Sequence, residues 1–183
     1  MKAKYARIFQ NSFLLILAIL MVTITNGQTT HRDKRVLRDS KKAKNAFIKV
    51  DPSIKKWFDN AYGYVIFPNV GKTGLGVGGA FGNGIVFINN TAIGRANLSQ
   101  VSIGFQLGAQ GYREVIFFEN KSNMDDFKEN KLKLSAQVSA VLVAIGAAAN
   151  INYSNGILIF TQPKGGLMYE VSVGGQTFNY EKF

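Results

Sequence analysis

The stretch Phe67–Gly84 reads FPNVGKTGLGVGGAFGNG, with glycine at 71, 74, 76, 78, 79, 82 and 84. Glycines that alternate along a strand mark a place where another chain segment or a bulky side chain packs closely. The feature therefore predicts strands pressed against something else, with Asn83-Gly84 as a tight hairpin turn. Two nucleotide motifs are imitated here and neither is met. Gly71-Lys72-Thr73 ends like a P-loop, but the first glycine that motif needs would fall at Ile66. Gly74-x-Gly76-x-x-Gly79 spells a dinucleotide fingerprint. That fingerprint requires a following helix and an acid about 20 residues on. The chain instead continues into the strand-like Ile85-Val86-Phe87-Ile88, and Leu98, Ser99 and Gln100 occupy the place of the acid.

The N-terminus predicts export. Lys2, Lys4 and Arg7 precede an apolar run, Phe13 to Ile24, that is too short to span a membrane comfortably. The expected organisation is a signal peptide over 1–28, basic helices over 29–62 and a β domain over 63–183. The alternative is an uncleaved anchor. The expected location is the periplasm or cell envelope, with secretion as the alternative. The 183-residue chain has no cysteine, so an exported domain must hold itself together without disulfides, and a lipidated N-terminal cysteine is excluded.

The net charge of +11 is local. Between Arg32 and Lys56 ten basic residues stand against Asp33, Asp39 and Asp51. Val36, Ala43, Phe47 and Val50 recur at helical spacing there, so residues 32–50 read as an amphipathic helix. Asp51 caps a second helix, with Pro52 in its first turn. Beyond Gly63 the reading is of strands: 64–67, a hairpin over 75–81 and 85–88, 91–95, 101–107 and 114–118. A short helix is expected over 123–128, capped by Ser122 or Asn123. Residues 132–149 read mostly as strand, and 157–160, 167–173 and 177–180 close the chain. The fold class is α+β, mainly antiparallel β. The expected core is a multi-stranded sheet, or a barrel-like one, with two N-terminal helices and the short helix.

The blocks FDNAYGYVIFP at 58–68, Val70-Gly71-Lys72 with the glycines to Gly84, VSIGFQLGAQ at 101–110, Ile116-Phe117-Phe118, GLMYE at 166–170 and Gly174-Gly175-Gln176 resemble, in order, the motifs of the SYLF lipid-binding family. The resemblance runs from the second helix to the C-terminus. It implies a compact, mainly β domain that binds membrane lipid, phosphoinositides in eukaryotic relatives and actin in some fungal ones. An exported chain without an adjoining partner module departs from those relatives, so anionic phospholipid is the expected partner and actin is not.

Lipid binding gives the basic helix a mechanism, because each cation near an anionic surface contributes about 1 kcal/mol. The candidate lipid-binding residues are Arg32, Lys34, Arg35, Arg38, Lys41, Lys42 and Lys44, with Lys72 as a phosphate contact in the glycine-rich stretch. The competing reading leaves the helix lysines solvated and Lys72 as a surface lysine at a strand end. His31 is the one histidine and sits near the N-terminus, so Ser–His–Asp chemistry is implausible. No enzyme activity, cofactor or metal is expected. Asp125, Asp126 and Glu129 read as a solvated face. Nucleic acid is the rival that charge alone would suggest, but export argues against it. A scaffolding protein with a protein partner, or a carrier of an apolar ligand in an internal cavity, are the alternatives.

Overall fold

The computed structural model describes residues 31–134, 140–164 and 173–183, and of 74–77 and 102–110 the backbone alone. Phe13–Ile24 and most of the 167–173 strand expectation lie outside the described residues. The chain divides into a unit of residues 1–35 and a unit of residues 36–183. In the first, residues 31–35 are helical and Arg32, Lys34 and Arg35 are exposed. Helix α1 covers residues 31–50. In the second unit it presents Ser40, Ala43 and Phe47 inward, positions that a turn of about 100° per residue brings to one side.

Asp51 ends α1 and begins the next element, as the Asp51-Pro52 pair predicts. Its side chain accepts from the Ser53 N–H at the head of a 3-10 turn, Pro52–Ile54. Helix α2, Lys55–Asn60, follows directly. Burial alone would raise the Asp51 carboxyl pKa. Hydrogen bonds from the Ala148 N–H (2.8 Å) and from Ser53 outweigh it and hold the group below the usual carboxylate range.

The sheet is built on two long strands, β1 (Gly63–Ile88) and β2 (Thr91–Phe118), paired antiparallel along their whole length. The turn between them is Asn89-Asn90, whose φ of 49° and 61° are left-handed values that asparagine tolerates. Asn83-Gly84 is not a turn: these residues pair with Asn97 and Ala96 in mid-strand. Gly84 serves packing instead. A methyl group there would lie 2.7 Å from the Ile66 carbonyl oxygen and from the Phe67 ring; one on Gly63 would lie 2.7 Å from the Phe87 carbonyl oxygen. The end of β1 thus returns against its own beginning, and only glycine permits that approach.

The outer edge of β2 takes β4 (Ile157–Pro163) against residues 112–118 and β5 (Gln176–Lys182) against 94–100. A short β3, Val141–Leu142, runs parallel to β4. The sheet is therefore α+β and mainly antiparallel as expected, but its path ends at β1 and β3, so it is open and not a barrel. Of the mostly-strand expectation over 132–149, only Val141–Leu142 is strand among the described residues, and 145–149 form turns. Helix α3, Lys121–Lys128, starts two residues before the expected 123, because Asn120, not Ser122 or Asn123, is the cap: its side chain accepts from the Asn123 N–H.

Alternation along the strands divides the core into two faces. Tyr64, Ile66, Val115, Phe117, Leu158 and Phe160 meet α1, the Pro52–Ile54 turn and α2 through Phe47, Ile54 and Phe58. Val65, Phe67, Ile116, Phe118 and Ile159 meet α3 and β5 through Met124, Phe127 and Phe178. The Phe58 ring stands edge-on to Tyr64 and Phe117, at 5.1 and 4.8 Å between centroids.

Candidate functional site

Packing decides which α1 cations are free to meet a partner. Phe47 and Ala43 are committed to the core, and Val36, Leu37 and Val50 pack against it. Arg38, Lys41, Lys42 and Lys49 are left exposed on the opposite side. Arg38 lies 3.4 Å from Asp39, a solvent-screened pair of small energetic weight.

Lys44 differs from its neighbours. Its Nζ donates to Asn90 Oδ1 at 2.7 Å and to the Tyr64 hydroxyl at 3.3 Å, and it lies 4.6 Å from the Phe58 ring centroid. Burial lowers its pKa, with Asp59 opposing that effect. Lys44 ties α1 to the β1–β2 turn, a role that helical spacing does not reveal.

Lys72 is neither at a strand end nor on the surface. It lies within β1 opposite Gln110 and is 5% exposed, and burial lowers its pKa. An exposed phosphate contact through Lys72 would require that side chain to move outward.

A concave site that the sequence does not announce lies beside α1. Lys42, Arg113 and Lys164 line a cavity of about 230 Å³ with Asp39, Pro68 and Asn69. The ladder shifts register between Phe67 and Val70, so Pro68 and Asn69 bulge out of β1 there, and bulges commonly re-aim side chains at sites. Arg113 Nη1 donates to Gln162 Oε1 at 3.0 Å. Lys164 Nζ donates to Asn69 Oδ1. Burial lowers the Lys164 pKa, and the Arg113 charge lowers it further while Asp39 opposes. The available signal was Arg113 itself, the lone cation inside the apolar run Tyr112–Phe118.

A buried polar cluster occupies the other face of the sheet. Gln176 Nε2 donates to Glu114 Oε2 at 3.0 Å and to the Tyr112 hydroxyl at 3.4 Å. Glu114 is fully buried, and that burial pushes its carboxyl up to about 8, against the Gln176 hydrogen bond. The α3 acids make a solvated face: Asp125 pairs with Lys121 and Lys128, and Glu129 with Lys131. Among the described residues no group of three His, Asp or Glu side chains could hold a metal ion. No described helix is long and apolar enough to cross a membrane.

Comparison with known proteins agrees with the motif resemblance. Residues 99–182 match the Ysc84 family model, described as Las17-binding protein actin regulator, which is the SYLF domain. Beta cell expansion factor A of Aeromonas veronii is 27% identical over 133 residues, 72% of this chain and 50% of that protein. The chain thus spans about half the length of the curated relative it matches.

Proposed function

From a chain whose residues 99–182 match the SYLF family, we propose a non-enzymatic protein that associates peripherally with anionic phospholipid through α1. One observation carries this reading. The apolar stripe of α1 is already spent on the core through Ala43 and Phe47, while Arg38, Lys41, Lys42 and Lys49 face solvent. A helix in that state cannot sink an apolar face into acyl chains as free amphipathic helices do. Its attraction to a membrane is electrostatic, about 1 kcal/mol per cation near the surface, and salt screens it. Export to the periplasm or cell envelope would bring it to such a surface.

Co-sedimentation with vesicles tests this. Binding to phosphatidylglycerol-containing vesicles, absent with phosphatidylcholine alone and lost as salt rises, is the expected result. The triple variant Arg38→Glu, Lys41→Glu, Lys49→Glu is expected to lose it while keeping its fold. Equal binding to neutral vesicles, or binding indifferent to salt, would contradict the mechanism.

A second reading rests on a different observation. Phe81 and Val101 are 66% and 72% exposed, in neighbouring positions of the β1–β2 ladder. Exposed apolar side chains on a strand pair suit a protein partner, and that role would survive the triple charge reversal.

A further inference from the structure

We propose that the cavity formed by Lys42, Arg113 and Lys164 is a binding pocket for a phosphate group. The inference does not depend on the docking of α1, because it concerns a defined concave site and not a charged face.

The argument begins with the cost of the arrangement. Three cations from separate parts of the chain converge: Lys42 from α1, Arg113 from β2 and Lys164 from the end of β4. Asp39 is the single acid in the lining; it lies 3.4 Å from Arg38 and only partly offsets the cationic charge at Lys164. Like charges gathered in a partly desolvated hollow oppose one another unless an anion joins them. The lowered Lys164 pKa has this origin in part, since burial and the Arg113 charge both act on it. Clusters of this kind are found at functional sites more often than structural need explains.

The donors are also held in place. Arg113 is anchored through one nitrogen by Gln162, its cross-strand partner. A guanidinium has five N–H donors, so the remainder can meet a tetrahedral oxyanion in the paired geometry that phosphate favours. Lys164 is braced by Asn69 through one hydrogen bond, which leaves two of its ammonium donors. The Pro68-Asn69 bulge is what sets Asn69 there.

The ligand chemistry is a phosphomonoester or inorganic phosphate, and the source is either a lipid headgroup or a free anion. The surroundings bear on that choice. Gly82 packs against the bulge: a methyl group on it would lie 3.0 Å from Val70 Cγ2 and 3.3 Å from the Asn69 carbonyl oxygen. The exposed Phe81 adjoins Gly82, the residue that packs on the bulge. An exposed apolar side chain on that part of the ladder would favour the lipid source.

The test is thermal unfolding and titration calorimetry of the protein with inorganic phosphate, against sodium chloride of equal ionic strength. Phosphate is expected to raise Tm above the chloride control. Arg113→Gln and Lys164→Gln are each expected to weaken phosphate binding about tenfold, the scale of one charge-assisted contact. Lys182→Gln, which removes an equal exposed charge outside both the pocket and α1, should not. Two pocket variants are used so that a folding defect in one, visible in its Tm without phosphate, does not decide the matter. No phosphate effect beyond chloride, or equal losses in all three variants, would overturn the proposal. A second arm uses phosphatidylcholine vesicles with and without phosphatidic acid. Selective loss of phosphatidic acid binding in the two pocket variants assigns the site to a lipid headgroup. Unchanged vesicle binding with lost phosphate binding assigns it to a free phosphate and equally supports the pocket. Loss of vesicle binding only in the triple α1 variant would locate the failure or success of the helix reading separately.

Discussion

The two faces of the sheet are buried to a similar degree and filled differently. Under α1 and α2 the filling is mainly apolar, and its few polar groups are paired: Lys44 with Tyr64 and Asn90, Trp57 Nε1 with the Ala148 carbonyl, and the buried Asp51 with the Ala148 N–H. Under β5 and α3 the filling includes Tyr112, Glu114 and Gln176, with one amide nitrogen shared between the carboxyl and the phenol. A helix satisfies its own backbone and can cover a sheet with apolar side chains alone. The lesson is that protonation acts in opposite senses on the two faces, through a carboxyl held charged beside α1 and α2 (Asp51) and one held neutral beside β5 and α3 (Glu114).

The largest expected effect that would break this contrast is on the packed face. Phe47→Ala removes a fully buried ring from the contact of α1 with the sheet, and should destabilise the protein by about 3–5 kcal/mol in urea unfolding. The loss should be the same at pH 5 and pH 8.

Glu114→Gln addresses the polar face. Below pH 4.5 both the folded and the unfolded wild-type chain carry the Glu114 proton. As pH rises from 4.5 to about 8, the unfolded chain loses that proton while the folded chain retains it, so wild-type stability falls across this window and levels off above it. The variant has no such proton to bind, and should exceed wild type by a few kcal/mol at pH 8, at about 1.4 kcal/mol for each pH unit between the unfolded and folded values. It should show little difference near pH 4.5. Thermal unfolding at the two pH values checks this; a constant difference would mean that Glu114 is not held protonated by the fold.

Asp51→Ala gives the smallest change, about 1 kcal/mol, the usual scale of a lost cap. It also carries the opposite pH sign. Because the folded carboxyl lies below its ordinary value, its contribution is present above pH 4 and is lost as pH falls below that. Wild type and variant should therefore converge in acid.

Local chemistry made some of this legible in the sequence. Asp51-Pro52 marks a helix start because the cap and the fixed proline torsion act within a few residues. The periodicity of Val36, Ala43 and Phe47 marks a buried stripe because a helix repeats regardless of what it packs on. The ordered motifs resemble those of the SYLF family, whose model matches residues 99–182. What could not be read depended on contacts between distant residues. Asn83-Gly84 has the composition of a turn, but the glycine is needed where β1 meets itself around Ile66 and Phe67. Lys72 looked exposed because the strands around it were read as short pieces instead of one long ribbon. Lys44 reads like Lys41 and Lys42 until Asn90 is brought to it. Arg113 and Lys164 lie 51 positions apart in number, and only the β2–β4 register places them together.

The Asn89-Asn90 turn sets an order of events. Ile88 and Thr91 meet across it at once, and every later pair out to Gly63 and Phe118 closes a loop that the previous pair has already shortened. Loop entropy is thus met in small steps, although the final contacts are far apart in sequence. The ladder can grow outward like a zipper from a single left-handed pair of asparagines. Asn90, once the turn exists, also holds out the acceptor that Lys44 needs, so the seat for α1 comes into being with the first turn of the ribbon.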